Sequence, residues 1–433
     1  MCIGCTVDVP PTLHRVRIVQ YLKWMRLRDG GVVRAVLDLS AALAARGHQV
    51  TLLTADDGDV PPAWKVADGA RPAGVPACIA LTLRDRLAEL RGGSAAASER
   101  DTVTQLLDRR SMALAGSLVT GADAVHVHGP WASSNIQVAA LARRAGAPVV
   151  VSPHGMLDDW CMAQGAFKKR LHLRLLGRRM LAGAGAIHCT AAAELEQARA
   201  HFPPATGPGR LELVIPLPFD ASPYLDLPDP APARARFAAL RTGRPSLLFL
   251  GRLNAIKGVE RLIGAAALLR DAGTPVETLI AGPAESSAYE ERLRSLAASL
   301  GLAETTHFLG MVTGPDKVSL YGAADVFVLP SSHENFGFVL LEAMAAGTPA
   351  VATRGVSIWP ELEASGGAVI AGDEPAALAA AIGPLLADAG RRRAMGAKGR
   401  TWATTVMDGE SAMRRYEAMY AGLRRGPRPG RAG

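Results

Sequence analysis

Aromatic side chains are scarce in this chain: Phe, Trp and Tyr together make up 5% of its 433 residues, while alanine recurs throughout. A core of small side chains closes by the near approach of backbones, which suits helices laid directly on a sheet. Long apolar runs are missing too. None approaches the ~20 residues needed to cross a bilayer, although hydrophobic residues reach 49% of the chain. Met1–His14 has no apolar stretch behind a basic start, so the expectation is a cytoplasmic protein without a secretion signal. Cysteine is sparse and scattered: Cys2, Cys5, Cys78, Cys161 and Cys189 form an odd set that argues for reduced thiols. Cys2 and Cys5 make a C-x-x-C pair, but no second pair completes a tetrahedral zinc shell, and an incidental pair on a frayed terminus is the simpler reading. No G-x-G-x-x-G follows the first strand, which disfavours a dinucleotide oxidoreductase. No Asp-x-Asp metal motif is expected.

What is present is basic and globular. A formal charge of +8 with 20% charged residues points to anionic partners: nucleic acid, acidic headgroups or phosphorylated small molecules. RNP-type aromatics, zinc-finger spacing and basic-zipper heptads are lacking, so nucleic acid is not expected as a partner. The tail Arg424 to Gly433, rich in Gly and Pro, reads as unstructured.

Short β-branched runs alternate with alanine-rich helical stretches. Arg15–Tyr21, Gln49–Thr54, Ala122–Val127, Pro148–Val151, Ala184–Cys189 and Leu211–Ile215 read as strands, with helices over about Val32–Ala45 and Ala132–Ala145. Asp56–Ala80 reads as a Pro/Gly/Ala-rich surface loop. The proline-dense stretch Pro216 to Pro232 reads as a stiff linker. Beyond it the rhythm restarts with strands Ser246–Leu250, Val276–Ala281, His307–Leu309, Val326–Leu329 and Pro349–Thr353 and helices including Val259–Asp271, Glu290–Leu300 and Phe338–Ala346. Such βαβ alternation predicts two parallel α/β domains, with ligands in a cleft at the carboxyl ends of the strands.

Three segments carry chemistry. Ser331-Ser332-His333-Glu334-Asn335-Phe336-Gly337-Phe338 follows a strand and opens a helix, whose first N–H groups are an anion site. Gly337 would admit a ligand close to the backbone. Glu334 precedes the helix and Glu342 lies two turns further on much the same face. Taken singly, Glu334 could equally be a helix cap and Glu342 a solvated surface acid. Gly251-Arg252-Leu253-Asn254-Ala255-Ile256-Lys257-Gly258 also joins a strand to a helix; Arg offers a planar fork for phosphate and Lys a point charge. Its glycine spacing is not that of a Walker A loop, and alone the two cations could simply face solvent. Ser152-Pro153-His154-Gly155 sits directly after a strand, where a parallel sheet presents functional groups. His126 and His128 alternate on a strand and can share a face; without a third ligand, packing or an acceptor contact is favoured over a metal. Phe167–Arg179 is a basic, partly amphipathic helix that could lie on an anionic membrane or simply be solvated.

In their order and positions these segments resemble the retaining glycosyltransferases of family four, which adopt the GT-B fold of two Rossmann-like domains facing across a cleft. The resemblance covers nearly the whole chain and rests on the Glu-x7-Glu pair Glu334 and Glu342 with Arg252 and Lys257 upstream. It implies donor contacts from Gly30, Gly31, Arg252, Lys257, Glu334, Asn335, Phe336, Gly337, Phe338 and Glu342. Catalytic roles fall on His154, Arg252, Lys257 and Glu334. In the family the first glutamate holds donor-sugar hydroxyls, the second holds the ribose, and the cations neutralise the departing diphosphate. The resemblance further implies a UDP- or GDP-sugar donor, a sugar or lipid-linked acceptor and transfer with retention. No cofactor, no required metal and no separate general base are implied, and the setting is cell-surface polysaccharide or glycolipid assembly. An N-terminal acceptor domain is expected over 1–216, a nucleotide-sugar domain over 217–405, and over 406–433 a helix packing back on the first domain plus the basic tail. Two departures stand out. Ile215-Pro216-Leu217-Pro218-Phe219-Asp220 replaces the family's Ile-Pro-Asn-Gly-Val-Asp, and Asn335 replaces the more usual Gly. A nucleotide-sugar epimerase and a non-catalytic nucleotide-sugar-binding protein of the same fold are the rival readings.

Overall fold

The computed structural model describes residues 15–26, 31–66, 74–85, 105–206, 209–407 and 409–424; Cys2, Cys5, Gly30 and positions 425–433 of the basic tail lie outside them. The chain divides into two compact units, Met1–Pro218 with Glu410–Gly433, and Phe219–Gly409.

The first unit holds β1 (Arg17–Tyr21), β2 (Gln49–Thr54), β3 (Ala77–Ala80), β4 (Leu83–Asp85), β5 (Gln105–Leu107), β6 (Ala124–His128), β7 (Val149–Ser152), β8 (Ala186–Cys189) and β9 (Leu211–Val214). Seven of them form one parallel sheet in the order β3-β2-β1-β6-β7-β8-β9, while β4 and β5 pair antiparallel beside it. Alternation puts Ile18 and Val19 on opposite faces of β1, and each face has its own core. Val19, Val125 and Val151 pack with Val138 and Ala142 of the helix Ser133–Arg144. Ile18, Val50, Ala124 and Val150 pack with Leu39 and Leu43 of the helix Gly31–Ala45 and with Tyr416 and Tyr420 of the helix Gly409–Arg424. Burial on both faces explains why these strands read as continuous apolar runs.

Two readings of the first half need correction. The loop expected over Asp56–Ala80 ends in β3, whose Ala-Cys-Ile-Ala pairs in register from Thr51↔Ala77 to Thr54↔Ala80. Four residues are too few to show a period, so the strand was hidden in its alanines. Nor is all of Pro216–Pro232 a stiff linker, although the two units divide within it at Pro218. Phe219 and Tyr224 are buried in the second unit with rings 6.1 Å apart, and Ala231–Arg236 is already a helix. Proline at a helix start is compatible with helical geometry, and Pro232 occupies such a position.

The second unit has β10 (Ser246–Leu250), β11 (Glu277–Ala281), β12 (Thr306–Gly310), β13 (Val326–Leu329), β14 (Ala350–Thr353) and β15 (Ala368–Ala371). They form a six-stranded sheet in the order β12-β11-β10-β13-β14-β15, parallel at every pairing. Order reverses at β10 and β13, so the loops following these two strands emerge side by side, at the point where open α/β sheets bind ligands. The edge strand β15, Ala-Val-Ile-Ala after Gly366 and Gly367, was not foreseen. Both expected units are parallel α/β, as the reading required.

Candidate active site

The loops after β10, β13 and β14 are laced together by backbone and side-chain bonds. Ser332 donates its N–H to Ile256 O at 2.8 Å and its hydroxyl to the same oxygen at 3.1 Å. Thr353 Oγ1 donates to Ser331 O. Glu334 lies across from Val356: its N–H donates to Gly355 O at 2.8 Å, and its carbonyl accepts from Ser357 N at 2.8 Å. Glycine is obligatory at the contacts. A Cβ on Gly355 would meet Ser331 O at 2.3 Å, and one on Gly258, at φ 68°, would meet Pro330 O at 2.3 Å.

This lacing brings the two predicted motifs together. Lys257, placed by a short 3₁₀ turn that Asn254 caps at 3.2 Å, donates its Nζ to the Glu334 carboxylate. Both side chains are about one-fifth exposed, so the pair borders solvent without dissolving into it. Arg252 is exposed immediately after Gly251, where β10 ends. Gly337, at φ 73°, caps the helix Phe338–Ala345, and its left-handed turn directs the amides of Phe338 and Val339 out of the helix start. Phe336 is buried and meets Phe338 edge-on at 5.0 Å, fixing the turn from below. Asn335 lies between Glu334 and this aromatic pair, half-buried.

Glu342 is not a solvated surface acid. It is 7% exposed and accepts from Tyr321 OH at 2.8 Å and Lys317 Nζ at 2.8 Å. Sequence reasoning missed these two partners. Their signal was there: Lys317 and Tyr321 are one turn apart on the helix Gly314–Ala323, hence on one face.

In the first unit, Gly31 begins the helix Gly31–Ala45. His154 follows β7 at φ 54°, a left-handed conformation unique among the described residues other than glycine, and Gly155 continues it at φ 75°. Two contacts hold this turn. The buried Glu194 accepts from Gly155 N at 2.6 Å and from Thr190 N at 2.7 Å, and burial pushes its carboxyl pKa up against those hydrogen bonds. His154 Nε2 lies 2.8 Å from His128 Nδ1, and His128 Nε2 lies 2.6 Å from Gln20 Oε1. With the Gln20 amide oxygen as acceptor, His128 carries its proton on Nε2, so His154 donates Nε2–H and keeps Nδ1 as an acceptor. Burial depresses the His154 pKa to about 3, aided by His188, which keeps the ring neutral at physiological pH.

His126 and His128 do share a face, with ring centroids 4.2 Å apart, and both are buried. His126 belongs to a second relay. His188 Nε2 donates to Ile215 O at 2.8 Å, so its Nδ1 accepts from Ser152 OH at 2.6 Å. Ser152 Oγ then accepts from His126 Nε2 at 2.6 Å, and His126 Nδ1 accepts from Tyr420 OH at 2.7 Å. Both nitrogens of His126 and of His188 are used in this relay, which fits His126 to packing. The sequence pattern showed His126 and His128 but neither His188 nor Tyr420, whose meeting depends on the return of the chain's last helix.

An Asp-x-Asp spacing does occur, contrary to expectation, at Asp57-Gly58-Asp59. It is a turn after β2, in which Asp57 pairs with Lys65 at 3.5 Å and Gly58 N donates to Asp56 Oδ1 at 2.9 Å. Among the described residues no group of three or more His, Cys, Asp or Glu is disposed to hold a metal ion.

Comparison with known proteins accounts for both units. Residues 30–216 match the model of the glycosyl transferase 4-like domain, and residues 233–402 match that of the group 1 glycosyl transferases. The chain is 31% identical over 424 residues to the D-inositol 3-phosphate glycosyltransferase of Nocardia farcinica, spanning 93% of this chain and 88% of that one. It is 34% identical over 272 residues to the GDP-mannose-dependent alpha-(1-6)-phosphatidylinositol monomannoside mannosyltransferase of Mycolicibacterium smegmatis, spanning 61% of this chain and 67% of that one. Among solved structures, sucrose-phosphate synthase from Thermosynechococcus elongatus superposes with a TM-score of 0.71 at 21% identity, covering 94% of this chain and 99% of that chain. Anabaena HepE, solved in complex with UDP and glucose, superposes with a TM-score of 0.69 at 18% identity over 94% of this chain and 100% of that chain. The chain is therefore a glycosyltransferase of GT-B fold and belongs to family four, the group 1 glycosyltransferases.

Proposed function

We propose that the laced loops of the second unit bind a nucleotide-diphosphate sugar, UDP- or GDP-linked, and transfer its hexose with retention to a sugar or lipid-linked acceptor. The observation that carries this is the meeting of Lys257 with Glu334 beside the start of the helix Phe338–Ala345. Breaking the glycosyl bond leaves negative charge on the diphosphate and positive character on the sugar ring. Lys257, Arg252 and the amides at the helix start oppose the first; the Glu334 carboxylate holds hydroxyls of the sugar beside the second. Lys257 pairs with Glu334, which holds the cation in place where a diphosphate would compete for it. Glu342, held by Tyr321 and Lys317, keeps an orientation suited to the two hydroxyls of a ribose. With fixed cations in these places a bound divalent metal is not required. His154, neutral and with Nδ1 left to accept, suits a role as a hydrogen-bond acceptor for a sugar hydroxyl and not as an acid. Relatives named for inositol phosphate and phosphatidylinositol mannoside support a phosphorylated polyol or its lipid form as acceptor, in glycolipid or polysaccharide assembly.

The test is a thermal-shift screen against UDP-, GDP- and ADP-sugars. One nucleotide series should raise the melting temperature, and Arg252→Ala should abolish the shift. Incubation of the preferred donor with chelator present should still release nucleoside diphosphate, and the product's anomeric configuration by NMR should match the donor's. Stabilisation by none of the sugars, or by all of them equally in the Arg252→Ala variant, would overturn the reading. A rearranged sugar nucleotide formed without acceptor would assign the site to an epimerase.

A further inference from the structure

Between Asp159 and Glu194 the sequence holds no acidic residue, yet Lys168, Lys169, Arg170, Arg174, Arg178 and Arg179 all fall there. They lie on a helical stretch built from Ala166–His172, a π-turn Leu173–Gly177 and Arg178–Ala182. Lys168, Arg170, Arg174, Arg178 and Arg179 are exposed and have no carboxylate partner among the described residues. Large apolar side chains stand out among them: Phe167 is 79% exposed, Leu171 44%, Leu175 66% and Leu176 44%. Phe167, Leu171 and Leu175 recur every four residues and so form one stripe. The stripe is not the result of poor packing, because the opposite side of the same stretch, Leu173, Met180 and Leu181, is buried in the core. One turn beyond Leu175 and Leu176, Arg179 and Met180 line a groove of about 360 Å³ with Ile136, Ala139, Ala140, Arg143 and Arg144 of the helix Ser133–Arg144. Its floor is apolar and its rim carries guanidinium groups.

We propose that this face of the first unit docks on an anionic phospholipid bilayer. Phe167, Leu171 and Leu175 enter the headgroup–acyl boundary, the unpaired cations meet the lipid phosphates, and Arg144 and Arg179 hold one phosphate over the apolar groove. Charge complementarity selects the occupant. A folded nucleic acid would pair the cations but leave the apolar stripe in water, whereas an acidic bilayer satisfies both at once. The inference goes beyond the donor reading: docking requires no catalysis, so vesicle binding and sugar transfer can fail separately.

The test is co-sedimentation of the full chain with vesicles of phosphatidylcholine alone or mixed with phosphatidylglycerol, at low and high salt. Binding is expected to the mixed vesicles only and to weaken steeply with salt. Replacing Lys168, Arg174 and Arg178 together by Gln should lower the partition coefficient on the order of a hundredfold, about fivefold for each cation. Phe167→Ser with Leu175→Ser should lower it several-fold with the charge unchanged, and Arg144→Gln with Arg179→Gln should do the same with the stripe intact. All these positions are on the surface, so melting curves should match the parent. Absence of binding at low salt, equal binding to neutral vesicles, or binding of the charge variant at the parent level would each overturn the proposal. So would a preference for double-stranded oligonucleotide over the mixed vesicles.

Discussion

At the scale of single residues, close backbone contacts and buried carboxylates decide what each position can tolerate. Gly282, at φ 130°, brings its Cα against the end of β10, where an added Cβ would lie 1.9 Å from Gly251 O. Gly282→Ala must therefore part β10 from β11 directly under the Arg252 loop, as well as adopt a strained backbone costing about 1–3 kcal/mol. Urea denaturation should show a loss at least that large, and a neutral result would mean that the two strand ends can separate freely. Glu194→Ala leaves the amides of Gly155 and Thr190 buried without acceptors, at about 1–3 kcal/mol apiece. Because the left-handed turn at His154 relies on that carboxylate, turnover should fall by more than the same variant's loss of folded fraction. Measuring both at one temperature separates the two effects. Lys257→Met should lower kcat on the order of 10²- to 10³-fold, the range for removal of one preorganised group facing a developing negative charge. An unchanged kcat in single-turnover assays would remove Lys257 from the leaving-group site. Lys257 and Glu334 could be read from the sequence because each sits just past a strand in a loop with a fixed glycine. Glu194 could not. It acts through the N–H of a residue far off in sequence, and its only local sign is a glutamate four residues after Thr190, which a helix start would explain equally well.

At the scale of elements, the helix Gly409–Arg424 behaves as a missing layer of the first unit. Tyr416 and Tyr420 are fully buried against the face formed by Ile18, Val50, Ala124 and Val150, and Tyr420 starts the relay through His126, Ser152 and His188. Its flank is tied by Arg46, which donates to Glu417 at 2.7 Å and 3.0 Å, and by His48 Nε2 at 3.0 Å from the same carboxylate. Burial pushes the Glu417 pKa up, but the Arg46 and His48 hydrogen bonds outweigh it and hold the group below the usual carboxylate range. This relay and the neighbouring pair His128 and His154 set the pH response. Burial lowers the pKa of His126, His128, His154 and His188, with His188 at about 4 and His154 at about 3. The unfolded chain protonates these rings near pH 6.5, and the native state does not. Their full contribution is present above that pH and is lost as pH falls towards 4 and below, at a limiting slope of about 1.4 kcal/mol per pH unit for each ring. Hydrogen exchange followed from pH 7 to pH 5 should show β6, β7 and β8 losing protection while β10 and β13 change little. Uniform loss across both sheets would contradict it. Most strands in this account were legible because short β-branched and apolar runs recur between Gly, Pro or Asp breaks in alternation with helical stretches. β3 and β15 were not, since Ala-Cys-Ile-Ala and Ala-Val-Ile-Ala are as compatible with a buried turn of helix as with an edge strand.

At the scale of the whole molecule, chain order and compact units do not coincide. The second unit is one continuous segment, Phe219–Gly409, whereas the first needs both Met1–Pro218 and Glu410–Gly433. Ending the chain after Gly409 would strip Met413, Tyr416, Met419 and Tyr420 from the core they share with β1, β6 and β7, and would leave His126 Nδ1 without its donor. Burial of a large apolar side chain is worth roughly 1.5–3 kcal/mol, so loss of four such groups exceeds about 5 kcal/mol and approaches the whole stability of an ordinary domain. A chain truncated at Gly409 should therefore retain a cooperative second unit and lose the first. Limited proteolysis should cut between β1 and β9 and spare Phe219–Gly409. The same truncation separates the two binding roles: it should keep the donor-induced thermal shift, which the loops after β10 and β13 produce, and abolish the salt-dependent binding to acidic vesicles. Survival of a protease-resistant first unit would show that the sheet face can close without the returning helix, and that the buried relay is incidental to its stability.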